Sequence, residues 1–366
     1  MHTSAQQPQR VERGPRPQHA TAREQLRPAA RDLLRHHALA MTASASLPTI
    51  DLSLDEVDVA RRIDAAAREH GFFYVVNHGV DGALVERLVC MARTFFAQDE
   101  ATKGQIPMSA GGRAWRGYFP AGGELTSNRP DWKEGLYLGQ ELAPTHPRVR
   151  AGMPLHGANL FPPIEGFRAT VLDYIDALTA LGQRLLRAVA LGLGQRASYF
   201  AEHGTADPLV LLRLFNYPSR PVPAEVDAAW GVGEHTDYGL LTMLWQDDVG
   251  GLEVKSRGRW IAAPPRAGTF VCNIGDMLDR MTGGRYRSNP HRVAINTSGR
   301  DRLSIPLFLD PDFDAAVQPV PGLVREPDDR AERWDGASVH DWQGRYGDYV
   351  LAKVGKVFPD LKAQVL

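Results

Sequence analysis

A histidine and an aspartate stand two residues apart, at His235 and Asp237, just before the apolar, β-prone run LLTMLW. In an extended strand, residues i and i+2 face the same side, so both side chains would point together toward the interior. Burying either polar group costs free energy unless something compensates the lost hydration. A bound cation would compensate both residues, and the pair therefore predicts part of a metal site.

A third potential ligand lies far downstream, in the stretch NPHRVAIN. His291 also precedes a β-like run. Two imidazoles and one carboxylate on one side of an ion leave adjacent coordination positions open. That donor set is typical of non-haem Fe(II) sites that bind a cosubstrate and dioxygen together. The sequence therefore predicts that His235, Asp237 and His291 are metal ligands at a catalytic centre.

A possible anion site follows in the stretch RDRLSIPLFLD. Arg302 and Ser304 stand at i and i+2 on a predicted strand, again on one face. A guanidinium offers paired donors to a carboxylate, and a hydroxyl adds a third hydrogen bond. Tyr217, in FNYPS on an earlier predicted strand, adds a phenol. These three residues are predicted to hold the far carboxylate of a dicarboxylic cosubstrate.

Each signal has a plainer interpretation when it is taken alone. A single histidine beside a strand is more often a core or surface residue than a ligand. Arg302 alone would be a solvated charge at a strand edge, and Ser304 a small β residue. Their joint order and spacing, ahead of apolar strands, favours the metal and anion sites.

The elements that must position these residues follow from hydrophobic periodicity. Apolar residues at helical spacing predict helices over 55–71, 81–98, 164–193 and 339–357. Strands are predicted over 47–52, 72–80, 133–138, 209–217, 240–246, 251–255, 259–262, 269–274, 292–297 and 303–309. Many short strands between turns are typical of a sandwich or jelly roll. The predicted class is α+β, with a helix-rich N-terminal region flanking an antiparallel β core.

The composition limits the partners. The chain has 366 residues, 43% hydrophobic and 23% charged, with a formal net charge of −1. That balance gives no reason to expect nucleic acid or an anionic membrane as partner, and no apolar run approaches the roughly 20 residues of a membrane helix. Cys90 and Cys272 lie in apolar stretches, and we expect two buried free thiols in a cytoplasmic protein.

The first 43 residues differ from the rest. They are rich in Arg, Gln, Pro and Ala and contain no aromatic residue, so we expect a disordered extension without a packed core. A start at Met41 is the interpretation that we favour over a translated tail. Glu12, Glu24 and Asp32 argue against a targeting segment.

The chain resembles the isopenicillin N synthase-like family of 2-oxoglutarate and Fe(II)-dependent dioxygenases, from Leu47 to Phe358. The matching stretches are LPTIDLS, GFFYVVNHGV, RGYFPAGGE, HTDYGLLTMLWQDDVGGLEV, NIGDMLDRMTGGRYRSNPHRV and RDRLSIPLFLDP. The resemblance implies a double-stranded β-helix, a form of jelly roll, backed by helices. It also implies Fe(II), 2-oxoglutarate and dioxygen as cofactors.

The same resemblance implies residue roles and a domain plan. The iron ligands would be His235, Asp237 and His291, and the cosubstrate's distal carboxylate would lie at Arg302 and Ser304, with Tyr217 beside them. The expected regions are an N-terminal non-haem dioxygenase region over 47–165, a long linking helix over 166–207, the Fe(II)/2-oxoglutarate core over 208–312 and a C-terminal segment with a helix over 313–366.

The expected activity is hydroxylation or desaturation of a small-molecule substrate with release of succinate and carbon dioxide. One alternative is the family's oxidase chemistry without 2-oxoglutarate, in which Arg302 and Ser304 bind the substrate's own carboxylate. An ethylene- and succinate-forming reaction is another, although the interval between Asp237 and His291 gives it no support. A structural or sensor metal protein is disfavoured because a structural site would be closed.

Two further features have alternative interpretations. Asp276, in NIGD, either caps the following helix, which we favour, or accepts a hydrogen bond behind the metal ligands. Trp115, Arg116, Tyr118 and Phe119 either border the substrate pocket, as the resemblance implies, or pack their loop against the core.

Overall fold

The computed structural model describes residues 46–220, 230–327, 330–333, 336–359 and 362–363, so the expected extension over 1–43 lies outside the described residues. The helices are α1 (Glu56–Glu69), α2 (Gly82–Phe96), α3 (Glu100–Lys103), α4 (Pro147–Arg150), α5 (Phe167–Gly192), α6 (Tyr199–Glu202), α7 (Asp276–Met281) and α8 (Tyr346–Val357), with 3₁₀ turns at Met108–Ala114, Arg330–Glu332 and Val339–Asp341. The strands are β1 (Thr49–Asp51), β2 (Phe72–Val76), β3 (Gly117–Phe119), β4 (Leu125–Thr126), β5 (Arg129–Pro130), β6 (Glu134–Gly139), β7 (Val210–Tyr217), β8 (Val232–His235), β9 (Leu241–Gln246), β10 (Leu252–Ser256), β11 (Arg259–Ala262), β12 (Phe270–Ile274), β13 (His291–Val293) and β14 (Arg302–Leu309).

Two sheets form the β core. The major sheet has eight strands in the order β1-β2-β12-β9-β14-β7-β6-β3, and the minor sheet has four in the order β11-β10-β13-β8. Strand pairing is antiparallel along both sheets apart from β1 and β2, which pair in parallel. The predicted α+β class with a jelly-roll core is confirmed.

Strand β14 shows how the sequence separates core from site. Its odd-numbered residues Leu303, Ile305, Leu307 and Leu309 are at most 2% exposed. They face the helices, and α5 comes so close at Gly182 that an added Cβ would lie 2.7 Å from a methyl carbon of Leu309. The even-numbered residues of β14 face a cavity instead. The two-residue period of a strand thus puts apolar packing on one face and polar chemistry on the other.

The N-terminal helices cover the outer face of the major sheet. Helix α1 begins where the carboxylate of Asp55 accepts hydrogen bonds from the N–H groups of Val57 and Asp58. Its buried residues lie on one stripe, Val59, Ala60, Ile63, Ala66 and Ala67, and this stripe packs against α5. None of the described helices is long and apolar enough to span a membrane.

A direct backbone connection joins α7 to the loop between β8 and β9. The N–H of Asp276 donates to the carbonyl of Asp237 over 2.7 Å, and the N–H of Gly275 donates to the carbonyl of Leu240 over 2.9 Å. The first N–H groups of a helix have no partner within the helix, and here the loop carbonyls supply one. The start of α7 therefore fixes the backbone of the loop that carries Asp237.

Several predicted boundaries were wrong. Strand β8, with the sequence VGEH, was not predicted, because its glycine and glutamate interrupt the apolar pattern of a strand; it forms by pairing with β13. Strand β13 ends at Val293 instead of 297, after an irregularity in its register against β8. The C-terminal helix begins at Tyr346 instead of 339, because the chain turns at Gly344 with a φ of 142°.

The two thiols differ from each other in exposure. Cys272 in β12 is fully buried, as expected, but Cys90 is exposed, so the prediction that both are buried was wrong for Cys90. Helix α2 buries the face that carries Leu84, Leu88 and Phe95, and Cys90 lies off that face. Both cysteines are free.

We expect Gly275→Ala to destabilise the protein by about 2 kcal/mol, since the added methyl would overpack a closed contact. An added Cβ at Gly275 would lie 2.3 Å from the carbonyl oxygen of Gly239, which is backbone and cannot move aside. Gly82→Ala is the matched control, because nothing lies within 4 Å of its added Cβ. Urea unfolding measures both; equal stability of the two variants would contradict the tight loop–helix contact.

Candidate active site

The pairing of β8 with β13 sets two histidines side by side. His235 and His291 are register partners, and their ring centres lie 4.2 Å apart. Asp237 follows the end of β8, with its Oδ1 atom 3.9 Å from Nε2 of His235 and 3.7 Å from Nε2 of His291. One ligand atom from each residue lies within 4.8 Å of the others, a spacing that could hold one metal ion. The structure thus brings together the three residues that spacing singled out.

Backbone carbonyls orient both imidazoles. Nδ1 of His235 lies 2.8 Å from the carbonyl oxygen of Gly233, and Nδ1 of His291 lies 3.4 Å from that of Asn289. A ring that donates from Nδ1 keeps a lone pair at Nε2, which is the tautomer that binds a metal. Both Nε2 atoms face Asp237.

Polar neighbours also fix the carboxylate of Asp237. Its Oδ2 atom accepts hydrogen bonds from the Thr242 hydroxyl at 2.5 Å and the Asn273 amide at 2.7 Å. Oδ1 is therefore left to face the imidazoles. Burial acts to raise the pKa of Asp237, but the two imidazoles and the two hydrogen bonds outweigh it and lower the pKa.

The electrostatics suit a cation with neutral ligands. Burial and the neighbouring His235 lower the pKa of His291 to about 4, so its ring is uncharged at neutral pH. Asp237 is ionised at the same pH, because its pKa lies below the ordinary value. A neutral imidazole and an ionised carboxylate are the forms that bind a divalent ion.

Tyr217, Arg302 and Ser304 also meet. All three are at most 2% exposed, and the two hydroxyl oxygens lie 3.5 Å apart. The guanidinium carbon of Arg302 lies 4.6 Å from the centre of the Tyr217 ring, and Nη2 donates to Gln246 over 3.2 Å. Its Nε and Nη1 atoms are buried and have no hydrogen-bond partner among the described residues. Two orphaned donors of one guanidinium fit a carboxylate.

Both clusters open onto one cavity of about 470 Å³ between the sheets. Its walls come from β7, β9 and β14 of the major sheet and from β8, β10 and β13 of the minor sheet. Helix α8 and the 124–128 segment complete it, and the exposed residues Ser127, Asn128 and Lys356 mark its open end. The volume lies in the range of small-molecule pockets.

Two alternatives from the sequence are now decided. Trp115, Arg116, Tyr118 and Phe119 are at most 4% exposed and do not line the cavity, so they pack the loop against the core. Their implied position beside the substrate pocket was wrong. The rings of Trp115 and Phe119 contact Phe358 instead, with centres 6.0 and 5.5 Å apart.

Asp276 was wrongly predicted as a helix cap. Gly275 occupies the cap position of α7, without a side-chain hydrogen bond. The carboxylate of Asp276 accepts a hydrogen bond from the Tyr349 hydroxyl at 2.6 Å and lies 3.7 Å from the Lys353 ammonium. Its link to the metal-site loop is the backbone bond to Asp237.

Sequence reasoning missed several polar residues of the site. Thr242 and Asn273, which hold Asp237, lie inside apolar strands and look like ordinary β residues. Arg213 and Asp310 also line the cavity. The two-residue period of a strand could have identified both: Arg213 shares the odd-numbered face of β7 with Tyr217, and Asp310 continues the even-numbered series of Arg302 and Ser304.

The fold and the site are those of the non-haem iron oxygenase class, and comparison with known protein families supports the same class. Residues 47–164 match the family described as non-haem dioxygenase in morphine synthesis N-terminal, and residues 206–311 match the 2OG-Fe(II) oxygenase superfamily. The chain belongs to the 2OG-Fe(II) oxygenase superfamily. It is an Fe(II)/2-oxoglutarate-dependent dioxygenase, an oxidoreductase that uses Fe(II), 2-oxoglutarate and dioxygen.

Three relatives are similar over most of their length. A probable iron/ascorbate oxidoreductase of Dictyostelium discoideum is 51% identical over 330 residues, covering 84% of this chain and 91% of the relative. A 1-aminocyclopropane-1-carboxylate oxidase of Dictyostelium mucoroides is 41% identical, covering 86% and 95%. A homoarginine-6-hydroxylase of Oryza sativa subsp. japonica is 36% identical, covering 82% and 89%.

Solved structures share the fold. A full-length Neurospora crassa protein in complex with alpha-KG and thymine matches with a TM-score of 0.70 and 27% identity, covering 87% of this chain and 99% of that one. JOX2 in complex with 2OG, Fe and JA matches with a TM-score of 0.68 and 26% identity, covering 90% and 95%.

We expect Thr242→Val to weaken Fe(II) binding roughly tenfold, because it removes a hydrogen bond that orients Asp237 while keeping the side-chain volume. A chelator competition titration measures the affinity. Thr179→Val is the matched control, since the Thr179 hydroxyl donates to the Ile175 carbonyl within α5, away from the cavity. An equal Fe(II) affinity in both variants would show that the hydrogen bond to Asp237 has no part in metal binding.

Proposed function

We propose that the protein hydroxylates or desaturates a small molecule while 2-oxoglutarate is converted to succinate and carbon dioxide. The observation that carries the proposal is the joint geometry of one cavity. It holds three metal-ligating atoms within 4.8 Å of one another and, on another part of its wall, a buried arginine with two orphaned donors. A structural metal site would need no such anion position.

In this proposal His235, Asp237 and His291 hold the ferrous ion. The two imidazoles bind through Nε2, and Asp237 binds through Oδ1 while Thr242 and Asn273 restrain Oδ2. Three protein ligands leave coordination positions for the cosubstrate and dioxygen. The bound iron would supply the oxidising chemistry, in which one oxygen atom of dioxygen enters 2-oxoglutarate to give succinate and carbon dioxide and the other oxidises the substrate.

Arg302, Ser304 and Tyr217 bind the distal carboxylate of 2-oxoglutarate. The unpaired guanidinium donors of Arg302 would bind its oxygens, and the hydroxyls of Ser304 and Tyr217 would add hydrogen bonds. Burial strengthens these bonds, because competing water is excluded. The chain thereby orients the cosubstrate so that its oxo-acid end faces the metal ligands.

The relatives support a small-molecule substrate. The oxidase of Dictyostelium mucoroides is named for 1-aminocyclopropane-1-carboxylate, and the hydroxylase of Oryza sativa is named for homoarginine. Both compounds are free amino acids, of a size that a cavity of about 470 Å³ accommodates. They are the first two compounds to test.

A relative named as an oxidase makes oxidation of a substrate whose own carboxylate binds Arg302 the competing reaction to test. The two reactions differ in stoichiometry. Our proposal requires succinate release in proportion to oxygen uptake. Substrate turnover with oxygen uptake but without succinate would favour the oxidase reaction.

Anaerobic titration of the purified protein with Fe(II) and then 2-oxoglutarate should produce a visible metal-to-ligand charge-transfer band. We expect Asp237→Ala to abolish iron retention, because the site then loses its charged ligand. The band should be absent in this variant, and metal analysis after gel filtration should find no bound iron. Iron that remains bound in Asp237→Ala would contradict the ligand assignment.

We expect Arg302→Ala to retain iron but to raise the 2-oxoglutarate concentration at half-saturation roughly thirtyfold or more, because a buried carboxylate loses its paired donors. Arg300→Ala is the matched control, since Arg300 is exposed and pairs with Asp248. Loss of iron in Arg302→Ala would indicate that Arg302 acts by folding and not by ligand contact.

A further inference from the structure

The cavity holds a second buried cation that the proposed cosubstrate site does not use. Arg213 on β7 is 5% exposed and lines the cavity. Its Nη1 atom donates to the carbonyls of Leu138 and Leu212, and its guanidinium carbon lies 3.5 Å from the centre of the Tyr137 ring. No carboxylate among the described residues lies within ion-pair distance of it, although Glu124 and Asp310 are near enough to act on its pKa. A buried cation without an anion is costly.

Arg213 is too far from Arg302 for one carboxylate to bind both. The register of β7 and β14, in which Leu212 faces Leu307, puts Arg213 opposite Pro306. Pro306 lies four residues beyond Arg302, which is roughly 13 Å along a strand. The anion that suits Arg213 is therefore a different one from the distal carboxylate of 2-oxoglutarate.

A buried carboxyl group lies in the same part of the cavity. Asp310, just past the end of β14, is 3% exposed and lines the cavity. Its Oδ2 atom accepts a hydrogen bond from the Tyr346 hydroxyl at 2.5 Å. No cationic side chain among the described residues lies within ion-pair distance, and burial raises the pKa of Asp310 to about 7. The guanidinium carbon of Arg213 lies 5.9 Å from the ring centre of Phe308, two residues before Asp310.

Arg213 and Asp310 do not neutralise each other directly, although each charge affects the pKa of the other group. Tyr137 and two carbonyls hold the guanidinium, and Tyr346 holds the carboxylate. Opposite charges are thus kept apart by their own neighbours inside one cavity. A ligand that carries both signs would offset the burial of both groups, since a cation beside Asp310 lowers its pKa and keeps it ionised.

Three other charged side chains of the cavity wall, Glu124, Lys133 and Lys353, have ion-pair partners. Lys133 contacts Asp131 and Glu124 at 2.5 and 2.8 Å, and the Tyr137 hydroxyl donates to Glu124. Lys353 lies 3.7 Å from Asp276. Each of these groups has an opposite charge within 4 Å, which Arg213 and Asp310 lack.

From this arrangement we infer that the substrate is a zwitterion, a free α-amino acid whose carboxylate binds Arg213 and whose ammonium group binds Asp310. The inference rests on the proposed function, because the same cavity must hold iron and 2-oxoglutarate. It adds a substrate class and two specificity-determining residues. The side chain of the amino acid then lies in the remaining space between the charged pair and the metal ligands.

Binding is tested first with unmodified protein. After the anaerobic charge-transfer band has formed with Fe(II) and 2-oxoglutarate, the protein L-amino acids, homoarginine and 1-aminocyclopropane-1-carboxylate are each added. At least one should shift the band and, in air, stimulate succinate release. Absence of the band itself would contradict the proposed function. A normal band that none of these amino acids shifts would overturn the zwitterion inference alone.

Derivatives of the active amino acid that lack one of its two charges test the two proposed contacts separately. Its amide, its N-acetyl derivative and its desamino analogue should each bind roughly tenfold to a hundredfold more weakly, because each leaves one buried charge unpaired. Equal binding of the amide would overturn the role of Arg213. Equal binding of the desamino analogue would overturn that of Asp310.

Variants assign each charge to a residue. Arg213→Gln should lose the preference for the free acid over the amide, and Asp310→Asn the preference for the free amine over the N-acetyl form, while both keep the charge-transfer band. Arg213→Lys keeps the charge without paired donors and should retain part of the preference; it serves if Arg213→Gln does not fold. Arg300→Gln, at an exposed arginine that pairs with Asp248 and does not line the cavity, is the control and should keep both preferences. Unchanged preferences in Arg213→Gln and Asp310→Asn would contradict the assignment.

Discussion

The carboxylate of Asp237 lies buried between two imidazoles, and the architecture of the site depends on how that burial is compensated. A carboxylate loses hydration when it is enclosed, and without partners it would be protonated or exposed. Here Thr242 and Asn273 satisfy one oxygen, and the other faces His235 and His291. The carboxylate of Asp237 is thereby kept ionised and oriented toward the imidazoles, which is the state that binding of a divalent cation requires.

The surrounding elements serve this geometry. Pairing of β8 with β13 brings the imidazoles together from distant parts of the chain, and the start of α7 fixes the loop that carries Asp237. Each constraint is a backbone hydrogen bond or a strand register, so the candidate ligand residues are held in place by rigid elements. Rigid support of this kind keeps a functional site in its productive geometry.

Alternation along β7 and β14 organises the rest of the cavity. On β14 the odd-numbered residues pack under α5, and the even-numbered ones run from Arg302 through Ser304 to Phe308 along the cavity wall. Strand β7 repeats the pattern with Tyr217 at one end and Arg213 further in. One pair of strands can therefore provide both the proposed cosubstrate position and the proposed substrate position. Because side chains alternate between the two faces of a strand, a polar residue faces the cavity when it lies an even number of positions from Arg302 or Tyr217.

Much of this was predictable from sequence. The α+β class and most strands follow from apolar periodicity, and HTD, NPH and RLS stand out because polar residues recur at strand spacing. Short elements with few apolar residues were not predictable. Strand β8 is held by its pairing with β13 and not by its own composition. The cap of α7 at Gly275 depends on a tertiary contact with Gly239, so a local capping rule chose Asp276 instead.

The polar residues around the ligands were hidden for a related reason. Asn273 resembles any polar residue at the end of a strand until the pairing of β12 with β9 sets it beside Thr242. Arg213 lies on the same strand face as Tyr217, and Asp310 continues the face of Arg302 and Ser304. Their proximity, however, depends on the register of β14 against β7 and on the Arg213 side chain, which extends toward Phe308. Spacing along the sequence shows which face of its strand a residue occupies, but not which residues of two neighbouring strands lie opposite each other.

The most direct test is a crystal structure of the protein with Fe(II) and 2-oxoglutarate, grown without oxygen and measured at the iron absorption edge. We expect one anomalous peak in the cavity, within bonding distance of Nε2 of His235, Oδ1 of Asp237 and Nε2 of His291. We also expect the distal carboxylate of 2-oxoglutarate against Arg302. An iron peak that contacts fewer than these three residues, or that lies outside the cavity, would contradict the proposed metal site.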